Sequence, residues 1–153
     1  MAATDLNLSV STWQGRPVAP GDLAGRVVLL YAFQMLCPMC VNEATPLINR
    51  IYGRVQQRDD VRVIGLHTVF ENHAQQGPEA LAGYLSRAGV RFPVGIDLND
   101  GTDDAPVTMR RLLLMGTPSL VTVDAKGVIR ERLFGVPTEE ALMSRLDRLT
   151  TSP

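Results

Sequence analysis

The sequence predicts an α/β fold, a central mixed sheet flanked by helices, on three observations. The runs "VVLLYAF" (27–33), "VRVIGL" (61–66) and "SLVTV" (119–123) are continuously apolar or β-branched, the pattern of strands buried on both faces. Apolar residues between the first two runs recur at helical spacing. No repeat, low-complexity tract or long linker divides the 153 residues, a length that buries one core unaided, so residues 1–153 read as a single domain.

Taken in order, Leu6, Leu8 and Val10 alternate as in a half-buried strand, an N-terminal extension to the sheet, and "QGRPVAPGDLAG" behind it is a turn region. After the 27–33 strand, Pro38 opens a helix with Cys40, Ala44, Leu47, Ile48, Ile51 and Val55 on one stripe. Pro46 should kink it, because proline removes a backbone donor and crowds the carbonyl of Asn42. Beyond the 61–66 strand, Pro78 opens a helix with Leu81, Tyr84, Leu85 and Ala88 inward and Gly89 as its stop. A central helical insertion spans about Pro106 to Met115. The 119–123 strand turns through Asp124-Ala125-Lys126-Gly127 into "VIRERLF" (128–134), a more exposed antiparallel neighbour. The last helix takes Thr138 as N-cap and Glu139 and Glu140 in its first turn, with Leu142, Leu146 and Leu149 facing the core.

Composition narrows the function classes. Hydrophobic residues make up 45% and charged residues 20%, with a net charge of −1, so no field gathers nucleic acid or anionic lipid. The longest apolar run, 27–33, is too short for a bilayer, and no basic start precedes an apolar stretch. A cytoplasmic protein without nucleic-acid or membrane partners is expected, or a periplasmic one where a leader has been removed.

The chemistry concentrates at Cys37 and Cys40, the only cysteines of the chain. A structural zinc site wants four ligands, and His67 and His73 are the only other candidates, without a second cysteine pair, so neither metal nor cofactor is expected. Cys37 instead ends a buried strand at the N-cap of the following helix, facing the free N–H groups of Met39 and Cys40 and the positive end of the helix dipole, which favour a thiolate. Cys40, one turn later on the core stripe, is the shielded thiol that would resolve a mixed disulfide.

"CPMC" after a buried strand, "GTPSLVTVDAKG" farther on, and the β-α-β then β-β-α order resemble the thioredoxin superfamily, closest to its TlpA-like redoxin branch grouped with AhpC/TSA proteins. The resemblance runs from about Leu6 to Leu149 and implies a thioredoxin-like fold. It implies a thiol:disulfide oxidoreductase that uses Cys37 and Cys40 and acts on a disulfide-containing protein or a small thiol substrate, with a separate electron donor or acceptor. It further implies a cis bond at Thr117-Pro118, the Thr117 backbone offering strand-like hydrogen bonds to a substrate held beside Pro38 and Met39. Glu43 matches the glutamate of the family's CxxCxxE pattern, which is thought to assist proton transfer; its spacing suits a half-buried carboxylate and a solvated one equally well.

The departures are as informative. Leu36 replaces the tryptophan usual before the first cysteine, Tyr31 stands where thioredoxins place a buried aspartate, and Pro-Met is closer to the CPxC of glutaredoxins and DsbA-type oxidants. A thiol peroxidase is the alternative, but Gln34 and Leu30 occupy the places where peroxiredoxins carry a Thr or Ser and a proline relative to the reactive cysteine. A non-enzymatic interaction module would leave the thiols without consequence. "GLHTVFENH" continues from a central strand and brings His67, Glu71 and His73 to the border of the cysteine corner, as loop or hydrogen-bonded structural residues. The acidic "DLNDGTDD" (97–104) reads as a turn.

Overall fold

The computed structural model describes residues 5–151. Six strands form one mixed sheet: β1 (Val10–Gln14), β2 (Val27–Phe33), β3 (Val61–His67), β4 (Val94–Asp97), β5 (Ser119–Val123) and β6 (Ile129–Phe134), in the spatial order β1-β4-β3-β2-β5-β6. The β2, β3 and β4 strands run parallel, while β1, β5 and β6 are antiparallel to their neighbours. All seven residues of β2 are buried, and they alternate between the two cores: Val27, Leu29, Tyr31 and Phe33 face one cluster, Val28 and Leu30 the other.

Three elements differ from the sequence reading. The first strand begins at Val10, not Leu6, because the Ser9 N–H is taken by the Thr108 hydroxyl at 2.9 Å while Leu6 packs into the second core cluster. The short "VGID" of β4 escaped the periodicity because a four-residue strand containing glycine is defined by its partners. Gly95 is needed there: a Cβ would lie 2.9 Å from Val10 Cγ2. The insertion helix is only Val107–Arg111, since Leu113 adopts a left-handed φ of 58° and the Leu114 N–H closes on the Met109 carbonyl at 3.1 Å.

With α1 as Pro20–Leu23, the longer helices are α2 (Thr45–Val55), α3 (Pro78–Arg87) and α5 (Glu139–Thr151), and Val107–Arg111 is α4. The expected inward residues of α2, namely Leu47, Ile48, Ile51 and Val55, are buried in the first cluster together with Cys40 and Ala44 just before it. Gly89, with φ +68°, follows α3, and the Thr138 hydroxyl accepts the Ala141 N–H at 3.1 Å at the start of α5. The irregularity expected from Pro46 takes the form of a π-turn over Cys40–Ala44, in which the Thr45 N–H reaches back to the Cys40 carbonyl. Pro46 has no N–H for the Asn42 carbonyl, and the ladder absorbs one extra residue ahead of it.

Candidate active site

β2 ends at Phe33, and Gln34-Met35-Leu36 carries the chain to Cys37 at the corner between strand and helix. The Cys37 N–H donates to the Gln34 carbonyl at 3.0 Å, Pro38 starts the first helical turn, and the Cys37 carbonyl accepts the Val41 N–H at 3.0 Å. Cys37 is half-buried and Cys40 is fully buried, both as free thiols. The Cys40 N–H points at Cys37 Sγ from 3.4 Å, the helix N-terminal donation expected of this corner. Cys37 Sγ in turn donates to the Thr117 carbonyl at 3.6 Å, which brings the two ends of the site together across 80 residues. The Thr117–Pro118 bond is cis.

Burial pushes the Cys40 thiol up to about 12 and its hydrogen bond with Cys37 adds to the rise, while the Gln34 backbone and the Thr117 side chain pull the other way. Behind Cys40 lies a hydroxyl chain. Tyr84 Oη donates to Thr45 Oγ1 at 2.9 Å, Thr45 Oγ1 and Tyr31 Oη are 2.8 Å apart, and Tyr31 Oη reaches the Cys40 carbonyl at 3.5 Å. The Tyr31 phenol is held far above its ordinary range, chiefly by desolvation, so it is a neutral hydroxyl where thioredoxins carry an ionisable carboxyl.

Among the remaining expected site residues, Pro38 and Met39 are exposed, Met39 at 45%, and Leu36 beside them is 47% exposed. Thr117 is half-buried and Pro118 buried. Glu43 is exposed, with no hydrogen bond or ion pair to either cysteine, so the half-buried arrangement is not the one adopted. It lies in the π-turn, where each residue advances less around the axis than in an α-helix, turning Glu43 away from the Cys40 face. Glu71 and His73 are also exposed, His73 Nε2 pairing with the Asp104 carbonyl at 3.0 Å, whereas His67 is 1% exposed. Asp97, read as part of a turn, is buried: its carboxylate accepts the N–H groups of Thr108 and Met109 and the Thr68 hydroxyl, anchoring α4.

Sequence reasoning missed Gln34, Thr45 and Tyr84 around the cysteines, and Gln76 as the partner of Gln34. One signal was available for Gln34: a lone polar residue set inside "VVLLYAFQMLC" has apolar neighbours on both sides, and it is 2% exposed.

Similarity to known proteins follows the same outline. A thiol-disulfide isomerase from Corynebacterium glutamicum, solved by crystallography, superimposes with a TM-score of 0.92 at 39% identity, covering 97% of this chain and 96% of that one. The thiol-disulfide oxidoreductase ResA of Bacillus cereus is 25% identical over 94% of this chain and 75% of its own length. The thiol:disulfide interchange protein DsbE of Allochromatium vinosum is 33% identical over 74% of this chain, a match that spans 54% of the DsbE length. These relatives place the chain in the thioredoxin superfamily, with a thioredoxin-like fold and the activity of a thiol:disulfide oxidoreductase. The model of the AhpC/TSA family matches residues 2–132, and the chain therefore belongs to the AhpC/TSA family.

Proposed function

We propose that this thiol:disulfide oxidoreductase works through Cys37 as the attacking sulfur and Cys40 as the resolving one, on disulfides carried by protein substrates. The observation that carries the reading is the asymmetry of the pair. Cys37 is half-buried and receives the Cys40 N–H at 3.4 Å, while Cys40 is sealed at 0% exposure one turn in. In the reductive direction the Cys37 thiolate attacks one sulfur of the substrate disulfide. A Cys37–substrate bond forms, the substrate S–S bond breaks, and the first substrate sulfur leaves to take a proton. Cys40, its proton passed to solvent, then attacks Cys37 Sγ: the Cys37–Cys40 disulfide forms and the second substrate sulfur leaves to take a proton. Two electrons pass to the substrate, and a dithiol donor restores the pair. The oxidative direction is the same sequence reversed.

The exposed side chains of Leu36 and Met39, with Pro38 between Met39 and Cys37, supply an apolar rim for a polypeptide, and the Thr117 backbone beside Cys37 is the partner for an extended substrate segment. Glu43 stays outside this pathway. No described helix is long and apolar enough to cross a membrane. The cytoplasmic assignment is part of the proposal, and cell fractionation decides it: retention with the cytosol on osmotic shock supports it, and release with the periplasmic contents contradicts it.

Peroxide reduction is not favoured, because the Gln34 side chain is already committed to Phe70, Gln76 and Thr117 where a peroxide pocket would need a free hydroxyl. The test is turnover of insulin disulfides with dithiothreitol as donor, run beside hydrogen peroxide consumption by the same preparation. Insulin reduction that is lost in Cys37→Ser supports the reading, and peroxide turnover without disulfide reduction contradicts it.

A further inference from the structure

Gln34, His67 and Gln76 come from three separate parts of the chain and are 2%, 1% and 5% exposed. A buried polar side chain is costly unless its hydrogen bonds are met, so a cluster of three calls for a reason. His67, the last residue of β3, accepts the Met35 N–H on Nε2 at 3.1 Å. That bond requires Nε2 to be unprotonated, so the neutral ring carries its proton on Nδ1. Gln34 Oε1 accepts two bonds, from the Phe70 N–H at 3.3 Å and from Gln76 Nε2 at 3.2 Å. These two donors fix which way the Gln34 amide faces, and its NH2 end meets Thr117 Oγ1 at 3.4 Å. Gln76 Nε2 also holds the Glu71 carbonyl at 2.9 Å, and the Gln76 side chain sits beside the His67 ring.

These contacts grip both walls of the cysteine corner. Met35 and Gln34 belong to the loop that delivers Cys37, and Thr117 belongs to the loop whose carbonyl accepts the Cys37 S–H. The segment from Phe70 to Gln76 is tied to this corner through the bonds of Phe70 and Gln76 to Gln34.

We propose that Gln34, His67 and Gln76 act as one positioning unit, which clamps the Gln34–Leu36 loop against the Thr117 loop and thereby fixes Cys37 Sγ in the line of attack of Cys40. The side-chain hydrogen bonds of the three go to one another and to the surrounding loops, and none goes to a reacting sulfur. Their effect falls on the step that depends most on geometry, resolution of the mixed disulfide by Cys40, and less on the first attack by Cys37 on an external disulfide. The inference rests on the reading of Cys37 and Cys40 given above.

5,5′-Dithiobis(2-nitrobenzoate) separates the two steps in one trace. Attack by Cys37 breaks the reagent's disulfide and releases one thionitrobenzoate, and attack by Cys40 on the Cys37 adduct releases the second. Gln34→Met and His67→Phe are expected to slow the second release by about tenfold and the first by less than about threefold. His67→Gln, which returns an acceptor near the Nε2 position, is expected to recover the second phase to within about threefold of wild type. The double variant should be no more than about twofold slower than the slower single one, as for residues that act as a unit. A second phase unchanged in folded Gln34→Met protein, or slowing that multiplies in the double variant, overturns the proposal. If His67→Phe does not fold, Gln76→Leu takes its place in the cycle under the same criteria. Wild-type protein that releases no second equivalent fails the assignment of Cys40 itself and removes the step the unit serves, an outcome distinct from two clean phases that the variants leave unmoved.

Discussion

The two cysteines of one helical turn back onto different polar walls. Behind Cys40 the wall consists of hydroxyls, Tyr31, Thr45 and Tyr84, set into the aliphatic and aromatic core between β2, α2 and α3. Behind Cys37 it consists of amides and an imidazole, Gln34, Gln76 and His67, reaching into loops. The hydroxyl wall belongs to regular elements whose positions the core fixes, and it closes the space behind Cys40, whose thiol is pushed up chiefly by burial. The amide wall ties together the Gln34–Leu36, Phe70–Gln76 and Thr117 loops, and it leaves Cys37 half open. On the proposed roles, the resolving thiol is placed by packing and the attacking thiol by a hydrogen-bonded frame, and the two walls can be tested separately.

The largest expected contrast is in reactivity. With burial pushing the Cys40 thiol up to about 12, iodoacetamide at pH 7 should modify Cys37 more than about a hundredfold faster than Cys40, as read by peptide mass spectrometry of the reduced protein. Equal rates would erase the distinction between the walls. The hydroxyl wall is sharpened by Thr45→Val, which keeps the shape and removes the bridge between Tyr31 and Tyr84. Each orphaned buried hydroxyl costs about 1–3 kcal/mol, and denaturant unfolding should show a loss of that order.

The amide wall carries a pH signature. Desolvation lowers His67 from 6.5 to about 4, so between those values the unfolded chain binds the proton that the folded ring refuses. Stability from this group is complete above pH 6.5 and falls as pH drops toward 4, by roughly 3 kcal/mol in all. His67→Gln should lack that part of the acid slope, and an identical slope in both proteins would contradict the buried neutral ring. The smallest effect is expected at Glu43: exposed and clear of both sulfurs, Glu43→Gln should change insulin turnover by less than about twofold, and a larger loss would return this carboxylate to the proton path.

How much of this was legible in the chain depends on where the deciding contacts lie. The β2, β3 and β5 strands were readable because burial on both faces leaves a continuous apolar run, and the cysteine corner because spacing and Pro38 act within a few residues. The β4 strand was not, since "VGID" becomes a strand only between β1 and β3. The α4 helix read too long because "RRLLLM" continues the apolar pattern past the point where Leu113 turns left-handed. The amide wall depends on bonds between residues 32 to 83 positions apart, a separation that periodicity does not reach. Tyr31 was visible as a departure, but its meaning depended on Thr45 and Tyr84 closing the chain of hydroxyls.

The central claim is the division of labour between Cys37 and Cys40, and trapping the mixed disulfide tests it most directly. Cys40→Ser protein, mixed with a disulfide-bonded polypeptide such as insulin and analysed by non-reducing separation and mass spectrometry, should accumulate an adduct on Cys37, while Cys37→Ser protein accumulates none. An adduct on Cys40 in the Cys37→Ser protein, formed at a comparable rate, would contradict the account.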